Sequence, residues 1–310
     1  MNRNNRKYFS IIFCVLLTLI LVTACREQES VPSLDRNGLM TLVFKDWSVV
    51  KGNSIVLSKD LKLDLKERNT PSMDLQPLQV VRLSDTRAVL LVAAQPVVVG
   101  HSSQAALGAY WFKLEGDQWS LENRQDEVAW LGSFGHFGST KVLDLSSGKF
   151  GLIVESNYSG MGQEITFADL FFIGDHKITP MLNNQNALLF STVIQLGTSC
   201  DKWIDQAPGT IRRFRLSDND FSPQDCFKLN TKFQVKKGNT VPGNLILNSE
   251  AKMVVHRVIK QDSDGNNSFT SFEQKTSAIQ GTEEYRFDPK KERYAIVSGH
   301  SVVPEWARQY

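Results

Sequence analysis

Two stretches of this chain set a histidine beside a serine, the pair that acyl-transfer hydrolases use as base and nucleophile. They are Gly100-His101-Ser102-Ser103-Gln104 and Gly299-His300-Ser301-Val302-Val303. Neither has the second glycine of a nucleophile elbow. Neighbours on a strand also point to opposite faces, so adjacency alone does not let them share a proton. The remaining histidines, His136, His176 and His256, are scattered, and none has a partner at the helical spacing of a zinc protease. His136 sits in Gly132-Ser133-Phe134-Gly135-His136-Phe137-Gly138, which could expose an imidazole or simply join two strands. Gly148-Lys149 lacks the flanking residues of a phosphate-binding loop. A last candidate is the run from Glu155 to Glu164 (ESNYSGMGQE), whose two carboxylates and Tyr158 could grip a ligand or form a solvated loop.

Asp262, Asp264, Asn266 and Glu273 offer oxygens at the first, third, fifth and twelfth places of Asp262 to Glu273, with Phe269 at the eighth. That spacing is similar to a calcium loop of EF-hand type. Asn267 stands where glycine is expected, and Met253 to Ile259 before it is β-branched and reads as strand instead of an entering helix. A polar hairpin turn explains the same residues. No metal, cofactor or catalytic set is assigned.

The elements that must position these residues read as antiparallel strands. Gln79 to Leu83 and Ala88 to Val92 flank Ser84-Asp85-Thr86; Tyr110 to Leu114 and Trp119 to Leu121 flank Glu115-Gly116-Asp117; Val142 to Leu145 and Phe150 to Val154 flank Ser146-Ser147-Gly148. The aspartates and glycines supply the backbone freedom a reversal needs. Similar texture recurs at Leu170 to Ile178, Arg213 to Phe221 and Tyr285 to Val297. The expected fold is mainly β, with hairpins building a β-propeller-like or β-sandwich architecture and few short helices. Helices are expected near Ser33 to Phe44 and Asn184 to Phe190. Polar stretches at Lys66 to Gln76 and Thr231 to Asn244 read as loops, the second also as a seam should the body hold two domains.

The N-terminus carries Arg3, Arg6 and Lys7, then the apolar run Tyr8 to Val22 and the small pair Thr23-Ala24. This is the layout of a secretory signal peptide, residues 1–24. The apolar run is at the lower edge of the roughly 17 to 25 residues a spanning helix needs. Leu21-Val22-Thr23-Ala24-Cys25 resembles the lipobox of bacterial lipoproteins, which implies a diacylglycerol on the Cys25 thiol and a membrane anchor through several acyl chains. Residues 25–35 then read as the lipidated cysteine and a flexible tether, and 36–310 as the β-rich body. Arg26, in place of the aspartate that resembles an inner-membrane retention signal, implies the outer membrane by the same analogy.

Removing the first 24 of 310 residues leaves about 286, enough for a self-sufficient core. Three of the 35 basic residues and none of the 33 acidic ones leave with it, so the body is close to neutral and lacks the footprint of a nucleic-acid binder. Cys14 lies in the signal and Cys25 is committed to lipid, leaving Cys200 and Cys226 as an expected disulfide in an oxidising compartment. The function class expected is a binding or interaction lipoprotein of the cell envelope, with an envelope or secreted protein as partner: an inhibitor or immunity protein, or an assembly accessory. A hydrolase whose residues meet only in the fold, or a calcium-dependent adhesion module, are the alternatives.

Overall fold

The computed structural model describes residues 30–48, 54–63, 72–160, 163–182, 188–195, 211–215, 226–264 and 267–303. Residues 1–24, expected as a signal peptide, with Cys25 and Cys200, lie outside them. The chain is mainly β and sandwich-like. The first sheet contains β1 (Ser30–Val31), β2 (Ser54–Leu57), β3 (Ser72–Ser84), β4 (Arg87–Pro96), β5 (Ala105–Glu115) and β6 (Gln118–Leu131), ordered β1-β6-β5-β4-β3-β2. Its hairpins turn at Asp85-Thr86 and Gly116-Asp117, where local turn chemistry places them.

β4 is apolar on both faces because both are covered. Ala88, Leu90, Val92 and Ala94 pack beneath Leu39, Met40 and Phe44 from helix α1 (Arg36–Val43), with Trp47 and Leu61. The alternate residues Val89 and Leu91 pack with Leu107 and Trp111 against Leu152, Val154, Phe171 and Ile173 of the second sheet. Burial on both sides turns the usual alternation into a continuous apolar run. α1 starts where Asp35 accepts from the Gly38 amide at 2.8 Å, an N-cap that satisfies one of the orphan donors of the first turn.

The second sheet contains β7 (Thr140–Ser146), β8 (Lys149–Gly160), β9 (Gln163–Ile173), β10 (Ile178–Pro180), β11 (Leu188–Gln195), β12 (Ile211–Arg215), β13 (Cys226–Val235), β14 (Leu245–Asp264), β15 (Asn267–Asp288) and β16 (Arg293–Gly299). Its path is β12-β15-β14-β13-β11-β9-β8-β7, with β10 on β9 and β16 on β15. The sheet curls on itself, so that Leu145, Ile153, Leu170 and Phe172 meet Leu245, Leu247, Tyr285 and Phe287. Gly238 donates to the Leu145 carbonyl at 2.8 Å and Lys237 pairs with Asp144, fastening the loop after β13 to β7.

The architecture is two large antiparallel sheets among the described residues, the sandwich-like of the two forms expected. Thr231 to Asn244, expected as a loop, is loop only in part: Thr231–Val235 belongs to β13 and pairs with Ser249–Leu245, and 236–244 connects β13 to β14. Of Lys66 to Gln76, the last five residues belong to β3. Leu188 to Phe190, expected as helix, open β11 beside β9, since a short apolar run has no periodicity to separate the two states. Of residues 25–35, expected as a tether, Ser30–Val31 pairs with Ser120 and Trp119, and Val31 packs on the core beneath α1. The second half of Arg213 to Phe221 and residues 184–187 lie outside the described residues.

Candidate functional site

Three stretches distant in sequence meet at one end of the two packed sheets. Residues 132–138 carry the chain from the first sheet to the second through a reversal in which Ser133 and His136 exchange backbone hydrogen bonds of 3.1 Å. Phe134 and Gly135, at φ 52° and 78°, give it the left-handed geometry of a type I′ turn. Glycine is also required at Gly132, where a Cβ would lie 2.0 Å from the His136 carbonyl oxygen. Phe134 is thereby held outward against the His101 ring, centroids 4.6 Å apart, while its amide donates to the His101 carbonyl and that of Gly135 to the Ser103 carbonyl. On the other side Gly138 donates to the Glu155 carbonyl, Ser139 donates its hydroxyl to the Glu155 carboxylate at 2.7 Å, and the Ser133 hydroxyl donates to the Asn157 carbonyl at 2.7 Å.

β8 and β9 pair in the register Leu152 with Phe171, Val154 with Asp169 and Ser156 with Phe167. Cross-strand partners share a face, so these six point towards the first sheet. Leu152, Val154 and Phe171 are core; one step further the interface opens into a groove of about 330 Å³. Asp169 and Ser156 lie in it beside Phe167 and Tyr158, while Trp130 and Leu131 from the end of β6, with Gln104 from the loop before β5, line the first-sheet side. Burial pushes the Asp169 carboxyl up to about 6 and is the only cause of that rise: no hydrogen bond and no charge among the described residues offsets it. The Ser156 hydroxyl is likewise buried without a hydrogen-bond partner. A carboxylate held partly out of water beside the rings of Tyr158 and Phe167, in a groove between two sheets, marks a place suited to a ligand. Chemically the groove offers one carboxylate, amide groups and the rings of Tyr158 and Phe167.

The histidines are not gathered into it. His136 Nδ1 lies 3.0 Å from the Phe134 carbonyl, His176 lies against the Arg87 guanidinium at 3.2 Å, and His101 stacks on Phe134. His256 is on β14 and His300 is exposed after β16. Gly148-Lys149 belongs to the reversal between β7 and β8. Asp262 to Glu273 forms the tip of the β14–β15 hairpin, with Asp262 opposite Phe269. Glu273 is then four residues further along an extended strand, roughly 13 Å away, too far for both carboxylates to hold one calcium in the loop geometry. Of the expected disulfide, Cys226 opens β13 and is buried, and Cys200 lies outside the described residues.

Sequence reasoning singled out Tyr158, Ser156 and the Gly132 stretch but missed Asp169, Trp130 and Phe167. A signal for Asp169 was present: it is the one charged residue between Ile165 and Ile173, in a strand otherwise fit for a core. No protein-family model and no curated protein matches this chain.

Proposed function

We propose that this chain is an envelope lipoprotein, anchored through acyl groups on Cys25, whose β body binds a ligand in the groove between β6, β8 and β9. The observation that carries the binding role is the partly buried Asp169 carboxylate, which lines one groove together with Tyr158 and Phe167 and whose rise is caused by burial. Holding a carboxylate there costs stability, and a groove retains such a cost where a ligand relieves it.

The test is a thermal-shift measurement of the full chain against small molecules extracted from the envelope, with Ser156→Phe filling the groove. A shift seen with the parent chain and absent in Ser156→Phe supports binding there; equal shifts in both overturn it. The anchor has its own test: Cys25→Ser should lose acyl labelling and leave the membrane fraction, and labelling that survives overturns it. Val97, Val98 and Val99 stand exposed in the loop beside the groove, and an apolar strip of this kind favours a protein partner from the envelope or secreted pool as a second reading. Stoichiometric capture of one protein that Val98→Asp abolishes, with the groove variant unaffected, would favour it.

A further inference from the structure

We infer that the groove takes a small organic ammonium ion, seated on Asp169 and walled by the rings of Tyr158 and Phe167; the inference rests on the binding role proposed above. A carboxylate set partly into an apolar interface needs a counter-charge, and none stands there among the described residues. The titratable groups on the surrounding elements are engaged elsewhere or neutral. Glu155 takes the Ser139 hydroxyl, His136 faces the Phe134 carbonyl, and Asp126 is held by Arg124. Tyr158 lines the groove itself, and Glu127 on β6 does not act on Asp169.

The chemistry of the walls narrows the class. Aromatic faces attract a desolvated cation and do little for an anion, which the carboxylate would repel as well. A zwitterionic lipid headgroup would bring its phosphate beside Asp169, so a free amine fits better. A metal ion would need more oxygen or nitrogen ligands, and no group of three such side chains occurs among the described residues. A neutral sugar could stack on the rings, but it would leave the buried charge uncompensated. An ammonium ion satisfies both: its charge meets Asp169, and its protons or methyl groups meet the rings.

Since only the ionised carboxylate attracts the cation, affinity should rise as pH rises through 6. Isothermal titration of the full chain in a neutral detergent, with choline, cadaverine, maltose and citrate at pH 7.5 and pH 5, tests this. Expected is saturable binding of choline or cadaverine, about tenfold weaker at pH 5 and weakened at least tenfold in Asp169→Asn. Tyr158→Ala, at an exposed position that folding tolerates, should weaken it as well. Maltose binding that Asp169→Asn leaves unchanged overturns the ammonium class while the groove stays a binding site. No binding of either amine by a cooperatively folded chain also overturns it, and the binding role then stands or falls separately on the Ser156→Phe comparison.

Discussion

The Ser133 hydroxyl donates to the Asn157 carbonyl over 2.7 Å, bridging the loop that crosses between the sheets and the strand that floors the groove. Ser133 is buried, so its removal leaves that carbonyl in a site water reaches poorly. Ser133→Ala should cost about 1 kcal/mol of stability in urea unfolding, and should loosen ligand binding beyond that figure by letting the floor of the groove move. Unchanged affinity in a destabilised variant would show that the bridge holds the fold and not the groove.

Asp126 joins three segments from one fully buried carboxylate. Arg124 donates to it at 2.7 Å, the Tyr110 hydroxyl at 2.9 Å and the Lys62 amide at 3.1 Å. Burial first, and then the Asp126 charge, push the Tyr110 hydroxyl well above its ordinary range, so it stays a donor throughout the working pH range. Asp126→Ala should cost about 3 kcal/mol in urea unfolding, because it leaves a half-buried guanidinium and a buried hydroxyl without their acceptor. Tyr110→Phe should cost about 1 kcal/mol by the same measurement.

Asp169 makes stability depend on pH in the direction opposite to a salt-bridged carboxylate. Its value rises from 3.8 to about 6 on folding, so between those limits the folded chain holds a proton that the unfolded chain has released. Stability should therefore fall as pH rises from 4 to 6, by about 2 kcal/mol, and stay low above that. Unfolding by urea at pH 4, 5, 6 and 7.5 reads the slope, which Asp169→Asn should flatten across this window. The same slope in both proteins would mean another group titrates.

We further propose that Cys226 pairs with Cys200. Mass spectrometry of the exported protein, unfolded but unreduced and treated with an alkylating reagent, should find both unlabelled. Replacing both by serine should lower stability by roughly 3 kcal/mol. Labelling of both cysteines in the unreduced sample would remove the bridge.

The hairpins at Asp85-Thr86, Gly116-Asp117 and Ser147-Gly148 were readable because a tight turn is set by residues within the turn itself. α1 was readable from the run Ser33 to Phe44, while its Asp35 cap is a feature the structure added. Leu188 to Phe190 was misread because three apolar residues fit helix or strand equally, and the neighbouring β9 decides. The calcium-like spacing of Asp262 to Glu273 misleads for a related reason: spacing along the chain becomes proximity only if the backbone curls, and here it runs out and back as a hairpin.

By itself the sequence determined the alternation of strands and turns, the polar and aromatic character of Ser156 to Tyr158, and the glycines at 132 and 135 that permit a left-handed reversal. These are local properties, fixed by side-chain size and backbone freedom. Only the tertiary structure decided that Asp169 faces inward, and that Trp130 and Gln104 come from another sheet to close the groove over it. Period-two alternation divides a strand into two faces without saying what will cover either, and that choice is made by long-range burial of apolar surface between the sheets.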